Sequence, residues 1–248
     1  MTIARVSPKA RHHNASTLPG LAAICRARHL VATLGGRFSL ELGIDVDRDA
    51  GEIDRWALAA TLLGNPSPTS VAMRTYRVLE KAGVRTFEDV RHRDRDALVC
   101  LLDEGGYVRS DEGTLSRLLA LADVVADRYA GRLSALGERI AGPNELEQTL
   151  ATLPGWDPTT TATFLRELRS TWAGVDVPLD RYAASAARHA GLPFELHGLA
   201  SLASAAHLDV RDLEAGLIRL ALCHDFAHCP GVEECPFAEF DREQLVHF

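Results

Sequence analysis

Hydrophobic residues recur along almost the whole chain at the three-and-four spacing of helices that bury one face. Ile53, Trp56 and Ala60 are one clear example of this spacing. The period-two alternation typical of strands is weak and confined to residues 37–44. The pattern therefore predicts an all-α chain, with its principal helices over residues 21–34, 53–63, 69–79, 110–126, 143–152, 158–172, 179–190, 195–206 and 210–222.

Turn and cap residues divide this helical pattern. Gly83 is predicted to end one helix, and Thr86 begins a short one with the Thr-x-x-Asp spacing of a loose capping box. Asp94 begins another, which Gly105 and Gly106 end sharply. Since no repeat and no Pro/Gly/Ser-rich linker interrupts the chain, we expect any two lobes to pack against each other.

Composition indicates an ordinary globular protein. The 248 residues are 46% hydrophobic, no run approaches the roughly 18 apolar residues of a membrane span, and the N-terminus lacks the apolar core of a secretory signal. A cytoplasmic location without membrane association is the resulting expectation. The net charge of -7 argues mildly against a surface that binds nucleic acid everywhere, although local basic patches can override it. Only two of the 27 cationic residues are lysines, Lys9 and Lys81, which limits any chemistry that needs a lysine nucleophile.

A tight glycine-containing turn lies between two predicted helices at residues 153–158, which read Leu-Pro-Gly-Trp-Asp-Pro. One interpretation is a helix-hairpin-helix, whose turn amides and following helix N-terminus suit a phosphate. Thr159, Thr160 and Thr161 would add hydroxyl donors there. The alternative is a plain corner between two helices, capped by Asp157.

A second helix start follows at residues 177–182, which read Val-Pro-Leu-Asp-Arg-Tyr. Taken alone, Asp180 is explained by a favourable interaction with the helix dipole. Taken with the turn at 153–158, the order Leu-Pro-Gly, helix, short loop, apolar residue, Asp, helix needs a more specific explanation.

This order resembles the helix-hairpin-helix superfamily of DNA glycosylases, and its endonuclease III branch in particular. Residues 56–63, Trp-Ala-Leu-Ala-Ala-Thr-Leu-Leu, are similar to the start of the family's six-helix lobe. Residues 105–109, Gly-Gly-Tyr-Val-Arg, resemble its Gly-x-Tyr turn before a long helix. The similarity covers roughly residues 45–240 and lies in the order of the motifs more than in any one rigid signature.

The resemblance implies a two-lobed helical protein that binds double-stranded DNA between the lobes. One lobe would span residues 52–174 and contain the hairpin, and the other would combine residues 1–51 with 175–248. A nucleotide would leave the base stack, and Asp180 would lie beside its sugar as the catalytic carboxylate. The residues expected to contact DNA are Gly155, Trp156, Asp157, Thr159, Thr160, Asn65, Tyr107 and Arg181.

Departures from the family pattern refine this expectation. Thr159 stands where bifunctional members carry a Schiff-base lysine, so a monofunctional hydrolytic route is favoured over a lyase route. Asp157 replaces the second glycine of the hairpin and brings a negative charge near the expected phosphate. Gly106 stands where relatives often insert a wedge side chain, and Asn65 falls at or near the position that fills the vacated base stack.

Three of the five cysteines lie near the C-terminus, with the spacing Cys223-x5-Cys229-x5-Cys235 and Asp241 six positions later. Many endonuclease III relatives bind a 4Fe-4S cluster with four cysteines in this part of the chain. Three thiolates with Asp241, His224 or His228 could hold such a cluster, and Cys and His at this density could also bind zinc. A third possibility is a segment without metal whose cysteines are small buried hydrophobes.

The leading functional expectation is a base excision repair glycosylase that hydrolyses the N-glycosidic bond of a damaged or mismatched base. A non-catalytic DNA-binding protein on the same scaffold is the alternative, and a helical protein unrelated to nucleic acid is the third. A basic stripe formed by Arg109, Arg181 and Arg188 would separate the first two from the third. A monomer is expected.

Overall fold

The structure, a computed structural model, describes residues 19–107, 111–139, 142–172, 174–226 and 228–229. Throughout these residues the regular structure is helical and contains no strand, which confirms the predicted all-α class. The helices are α1 Leu21–Leu34, α2 Phe38–Glu41, α3 Ala50–Leu63, α4 Thr69–Lys81, α5 Phe87–His92, α6 Arg95–Gly105, α7 Asp111–Tyr129, α8 Leu136–Arg139, α9 Pro143–Leu150, α10 Pro158–Arg166, α11 Arg181–His189, α12 Leu196–Ala205 and α13 Val210–Cys223, with a 3₁₀ turn at Leu133–Ala135.

Several predicted boundaries are confirmed by their capping contacts. Thr86 accepts a hydrogen bond from the Asp89 amide while the Asp89 carboxylate accepts from the Thr86 amide, so a full capping box begins α5. Asp94 caps α6, and Gly106 ends it in the left-handed region with a φ of 104°. Local sequence thus determines where these short helices begin and end.

Residues 37–44, the one weakly alternating segment, contain the short helix α2 instead of a strand. The cause is a distant residue, because the buried carboxylate of Glu167 accepts hydrogen bonds from the Phe38 and Ser39 amides at 2.9 and 3.0 Å. Its burial raises the pKa of Glu167. Helix α10 ends at Arg166, well before the predicted end at residue 172, and Glu167 is its C-cap residue.

The helices pack as two groups. Helix α3 contacts α4, α10 and the 3₁₀ turn, α4 contacts α6, and α7 contacts both α5 and α6. In the second group α13 contacts α1, α11 and α12. The predicted domain division into residues 52–174 and the remainder stays a prediction.

The hairpin between α9 and α10 is held against the end of α3. A Cβ atom on Gly64 would lie 2.1 Å from Thr160 Oγ1 and 2.7 Å from Thr160 Cα, so only glycine allows this approach. The Trp56 indole donates to the Phe164 carbonyl at 3.0 Å, and the Trp156 indole donates to Thr61 Oγ1 at 3.0 Å. These contacts fix the position of the hairpin turn.

Among the described residues, no helix combines the length and the apolar character that crossing a membrane requires.

Candidate active site

The turn at residues 153–158 joins α9 to α10 as the sequence predicts. Gly155 adopts a φ of 76°, a conformation that favours glycine, and it lies exposed at the tip. The Asp157 side chain caps α10, because its Oδ1 accepts from the Thr160 amide at 2.7 Å and from the Thr160 hydroxyl at 2.9 Å. A carboxylate of the chain itself therefore lies at the helix N-terminus where a phosphate is expected.

The expected DNA contacts divide into exposed and buried side chains. Gly155, Asp157 and Thr159 are exposed at the hairpin. Trp156 and Thr160 are buried and hydrogen-bonded inside the protein, as described above. The hydrogen bonds of these two side chains stabilise the hairpin. Their contact with DNA stays a prediction.

Two further residues expected to contact DNA, Tyr107 and Asn65, form hydrogen bonds to the last turn of α3. The Tyr107 hydroxyl donates to the Leu62 carbonyl at 2.8 Å, and burial raises the pKa of this tyrosine. The Asn65 amide donates to the Thr61 carbonyl at 3.1 Å, and its side chain is partly exposed. Tyr107 thus anchors the turn after α3, and of the two only Asn65 presents part of its side chain to solvent.

Asp180 lies immediately before α11 and caps it. One carboxylate oxygen accepts from the Tyr182 amide at 2.7 Å and from the Ala183 amide at 3.4 Å. The other oxygen, Oδ2, lies 3.9 Å from Arg166 Nη1, and one fifth of the Asp180 side chain is exposed. The carboxylate is therefore oriented by the helix on one side and by a buried cation on the other.

A buried ion pair fixes the backbone that carries Asp180. Glu214, which is 1% exposed on α13, accepts from the Asp180 amide at 3.1 Å and pairs with Arg169 at 3.1 Å. Arg169 also donates to the carbonyls of Val177 and Pro178. Separating Arg169 from Glu214 would leave a buried charge uncompensated. A movement of this loop that broke the pair would therefore cost free energy.

Arg166 links Asp180 to α2. It is 8% exposed, and its guanidinium lies 5.4 Å from the centre of the Phe38 ring. Its Nε is buried and makes no hydrogen bond to any described residue. Arg219 contacts the same ring at 4.1 Å, so two guanidinium groups lie against Phe38.

Phe38 and Arg219 line a cavity of about 300 Å³ between α2, α4 and α13. This is the lower end of the range for small-molecule pockets. Its wall combines an aromatic ring and apolar groups with hydroxyl and guanidinium donors, and its other lining residues are Glu41, Thr69, Ser70, Met73, Arg77 and Leu222.

A second cavity of about 390 Å³ lies behind the hairpin, between α9, α10 and residues 177–178. Ala151, Pro158, Ala162 and Val177 give it a mostly apolar wall. Glu147, Gln148 and Thr161 add polar groups to its lining. Its described lining residues include no aromatic ring and no guanidinium, whereas the Phe38 cavity has both.

The exposed side of α11 carries arginines against exposed aromatic rings. The Arg181 guanidinium lies 4.8 Å from the Tyr182 ring, and that of Arg188 lies 4.4 Å from the Phe194 ring. Both rings are 43% exposed. Arg109, the third residue of the expected basic stripe, lies outside the described residues.

The expected metal ligands are only partly described. Cys223 is exposed at the end of α13 and its thiol lies 3.6 Å from the Leu220 carbonyl oxygen. Cys229 is partly buried, whereas Cys235 and Asp241 lie outside the described residues. The nitrogen and sulfur ligand atoms of His189, His224 and Cys229 all lie within 4.8 Å of one another.

Sequence reasoning did not identify Arg166, Arg169 or Glu214 as parts of this site. Arg166 follows Thr159 by two helical turns and so lies on the same face of α10, which is a signal that could have suggested it. Nothing local marks Glu214, because it reaches Asp180 from another helix, 34 positions away. His189 was likewise not among the expected metal ligands.

Comparison with known proteins gives limited similarity. No protein-family model matches the chain, and no curated protein matches it. Among solved structures, a thermostable thymine-DNA glycosylase is similar over 88% of this chain and 99% of that chain, with 17% identity and a TM-score of 0.46. These values do not assign the chain to a family.

Proposed function

We propose that the chain is a monofunctional DNA glycosylase of the endonuclease III-like type, with Asp180 as its catalytic carboxylate. The observation that carries the proposal is the setting of Asp180. Asp180 is the N-cap of α11, the first helix after the hairpin. Its carboxylate is held by two amides of that helix and lies 3.9 Å from buried Arg166. The sequence order that resembles the glycosylase superfamily supports the same assignment.

The proposed reaction is hydrolysis of the bond between C1′ of a deoxyribose and a base nitrogen. As this bond breaks, positive charge develops on the sugar, and the fixed Asp180 anion stabilises it. A water oxygen then bonds to C1′ and gives one proton to Asp180, from which a proton passes to the departing base. The products are the free base and an abasic sugar, with the phosphodiester backbone intact.

Two features of the chain favour hydrolysis over Schiff-base chemistry. Thr159, exposed in the first turn of α10, has no amine with which to attack the sugar. Of the two lysines in the sequence, Lys81 is the last residue of α4, two positions before Gly83. Neither lysine falls in the hairpin or beside Asp180 in sequence.

In this proposal DNA lies across the hairpin and the exposed side of α11. Gly155 and Thr159 would approach the backbone, and Arg181 and Arg188 would contact phosphates, with Tyr182 and Phe194 beside them. The Phe38 cavity would receive the base, because an aromatic wall with polar donors suits a planar heterocycle. Arg166, which contacts both Phe38 and the Asp180 region, would position the carboxylate relative to that cavity.

The test is an excision assay on duplexes that carry uracil or thymine opposite guanine, adenine opposite 8-oxoguanine, or an alkylated purine. We expect the chain to release at least one of these bases and to give strand breaks only after alkali. Borohydride should trap no covalent complex. No release from any duplex, or a trapped complex, would contradict the hydrolytic proposal.

Asp180→Asn supplies the matching variant, since asparagine retains the helix cap and removes the charge. Asp176→Asn is the control, because Asp176 is an exposed aspartate in the same loop. We expect excision to fall at least about 100-fold in the first variant and to stay unchanged in the second. Equal excision by both variants would show that Asp180 is not the catalytic carboxylate. No excision by the wild-type chain would favour the alternative of a non-catalytic DNA-binding protein.

A further inference from the structure

Three metal-binding side chains meet at the C-terminal end of α11. His189 is the last residue of that helix, His224 follows α13, and Cys229 lies in the chain beyond it. One ligand atom from each residue lies within 4.8 Å of the other two. All three side chains are partly buried.

Packing around the cluster explains how residues so far apart in sequence come together. Helices α11 and α13 pack against each other, which brings their C-terminal ends into contact. The Phe226 ring stacks on His189, with ring centres 4.6 Å apart, and meets His224 edge-on at 5.4 Å. The His189 and His224 rings have centres 5.0 Å apart. An aromatic side chain thus holds both imidazoles at one place.

We propose that His189, His224 and Cys229 bind a single zinc ion. Two imidazole nitrogens and one thiolate are a donor set that zinc accepts in tetrahedral sites. Tetrahedral bonds of about 2.0–2.3 Å place ligand atoms roughly 3.5 Å apart, so each pair of ligand atoms needs to approach by at most about 1.3 Å. Three protein ligands leave one coordination position.

This donor set does not fit the 4Fe-4S cluster that the family resemblance implies. Such a cluster is held chiefly by thiolates, whereas Cys229 is joined here by two histidines. Cys223, the other described cysteine of the expected set, is exposed at the end of α13 and does not belong to this group of ligand atoms. The described residues therefore favour a mononuclear site over a cluster.

The ion would tie the end of α11 to the chain that follows α13. Because Asp180 begins α11 and His189 ends it, the metal would hold the helix that carries the candidate catalytic carboxylate. Its role would be structural, since it lies at the opposite end of the helix from Asp180. The zinc proposal depends on the three ligands alone and stands whether or not the chain excises bases.

Elemental analysis of the full-length protein, expressed with zinc and iron both present and dialysed, tests the site. We expect about one zinc per chain and no stoichiometric iron or sulfide. His189→Ala, His224→Ala and Cys229→Ser should each lose the zinc. Cys223→Ser and His228→Ala, at two neighbouring exposed positions, should retain it.

Cobalt substitution of the wild-type protein gives a test that does not depend on the folding of variants. Tetrahedral cobalt should show strong visible bands together with a near-ultraviolet band from its thiolate, and Cys229→Ser should lose the thiolate band. Failure of the wild-type chain to retain zinc or cobalt, a brown iron- and sulfide-containing protein, or loss of zinc in Cys223→Ser would each overturn the proposal.

Discussion

Asp157 and Asp180 begin two successive helices in the same way, yet their surroundings differ. Each carboxylate accepts hydrogen bonds from first-turn amides, Asp157 at the hairpin and Asp180 before α11. Asp157 is exposed, whereas Asp180 lies near buried Arg166 and has its backbone amide bound to Glu214. Helix capping therefore accounts for Asp157 completely, but it leaves the buried charges around Asp180 unexplained.

A capping aspartate becomes a candidate catalytic group through the buried charges that contact it, and Asp180 has these contacts whereas Asp157 does not. Glu214 and Arg169 cost desolvation energy that a simple loop does not require. Arg166 places a cation beside the one Asp180 oxygen that does not cap the helix. Four changes test this difference: one each in the Phe38 cavity, at Arg166, at Asp157 and at Asp47.

The largest effect is expected from filling the candidate base pocket. Ser70 lines the Phe38 cavity and is exposed, so Ser70→Trp should occupy the cavity without disturbing the core. We expect excision to fall at least about 100-fold, because a base that cannot enter cannot align with Asp180. Single-turnover excision measures this, and duplex binding should weaken much less.

Ala162→Trp is the matched control, because Ala162 lines the second cavity behind the hairpin. It should leave excision within a few-fold of wild type. If Ala162→Trp abolished excision while Ser70→Trp did not, the base pocket would be the hairpin cavity and not the Phe38 cavity.

Removing the cation beside Asp180 should have the next largest effect. Arg166→Met keeps a long side chain against Phe38 but deletes the charge near Asp180 Oδ2. We expect the single-turnover rate to fall about 10- to 100-fold with little change in the dissociation constant for duplex, since Arg166 positions the carboxylate. Partial recovery in Arg166→Lys would distinguish positioning by charge from packing alone. An equal loss of binding and rate would contradict this role.

Changing the hairpin carboxylate should strengthen DNA binding, whereas the changes described above lower the rate of excision. Asp157→Asn retains a cap for the Thr160 amide but removes a negative charge from the helix N-terminus. We expect duplex DNA to bind about 2- to 5-fold more tightly, which corresponds to roughly 0.4–1 kcal/mol. Fluorescence anisotropy at fixed salt measures this affinity. Weaker binding would show that Asp157 helps to hold DNA.

The smallest effect is expected at Asp47, an aspartate that binds arginine for structure alone. Arg211 lies 2.8 Å away, and its hydrogen bonds lower the pKa of Asp47, as do those from Thr171 and Arg37. A lowered folded-state pKa stabilises the protein above the unfolded pKa of about 3.9 and ceases to do so as the pH falls further. Because 40% of the side chain is exposed, solvent screening limits the contribution to about 1 kcal/mol or less.

Asp47→Asn should accordingly lower the Tm by about 2–4 °C or less at pH 7, with no change in excision. The difference from wild type should shrink as the pH falls from 6 towards 3, as scanning calorimetry can show. A constant difference across this range would mean that the charge on Asp47 does not stabilise the fold.

Local patterns predicted much of the helical architecture. Hydrophobic spacing gave α1 its observed bounds, and cap residues such as Thr86 and Asp94 identified the starts of α5 and α6. The helical form of α2 was not predictable, because the buried Glu167 carboxylate that accepts from its amides is distant in sequence. No local pattern marked the end of α10 at Arg166 either. The short helix α8 and the 3₁₀ turn before it were also not predicted.

The candidate site was predictable only where its signals are local. Asp180 and the hairpin turn stand out as short motifs, but Arg166 and Glu214 reach the site through tertiary packing. Motif position alone could not show that Tyr107 is buried. His189 could not be predicted as a metal ligand either, because it lies on α11, far in sequence from the C-terminal cysteines.

Asp180→Asn and Asp157→Asn should be measured side by side on the duplex from which the wild-type chain releases a base fastest. The same chemical change is made at two similar helix caps, and single-turnover excision and duplex affinity are recorded for both. We expect loss of excision with DNA binding retained for Asp180→Asn, and retained excision with tighter binding for Asp157→Asn. Equal excision by the two variants would contradict a catalytic Asp180.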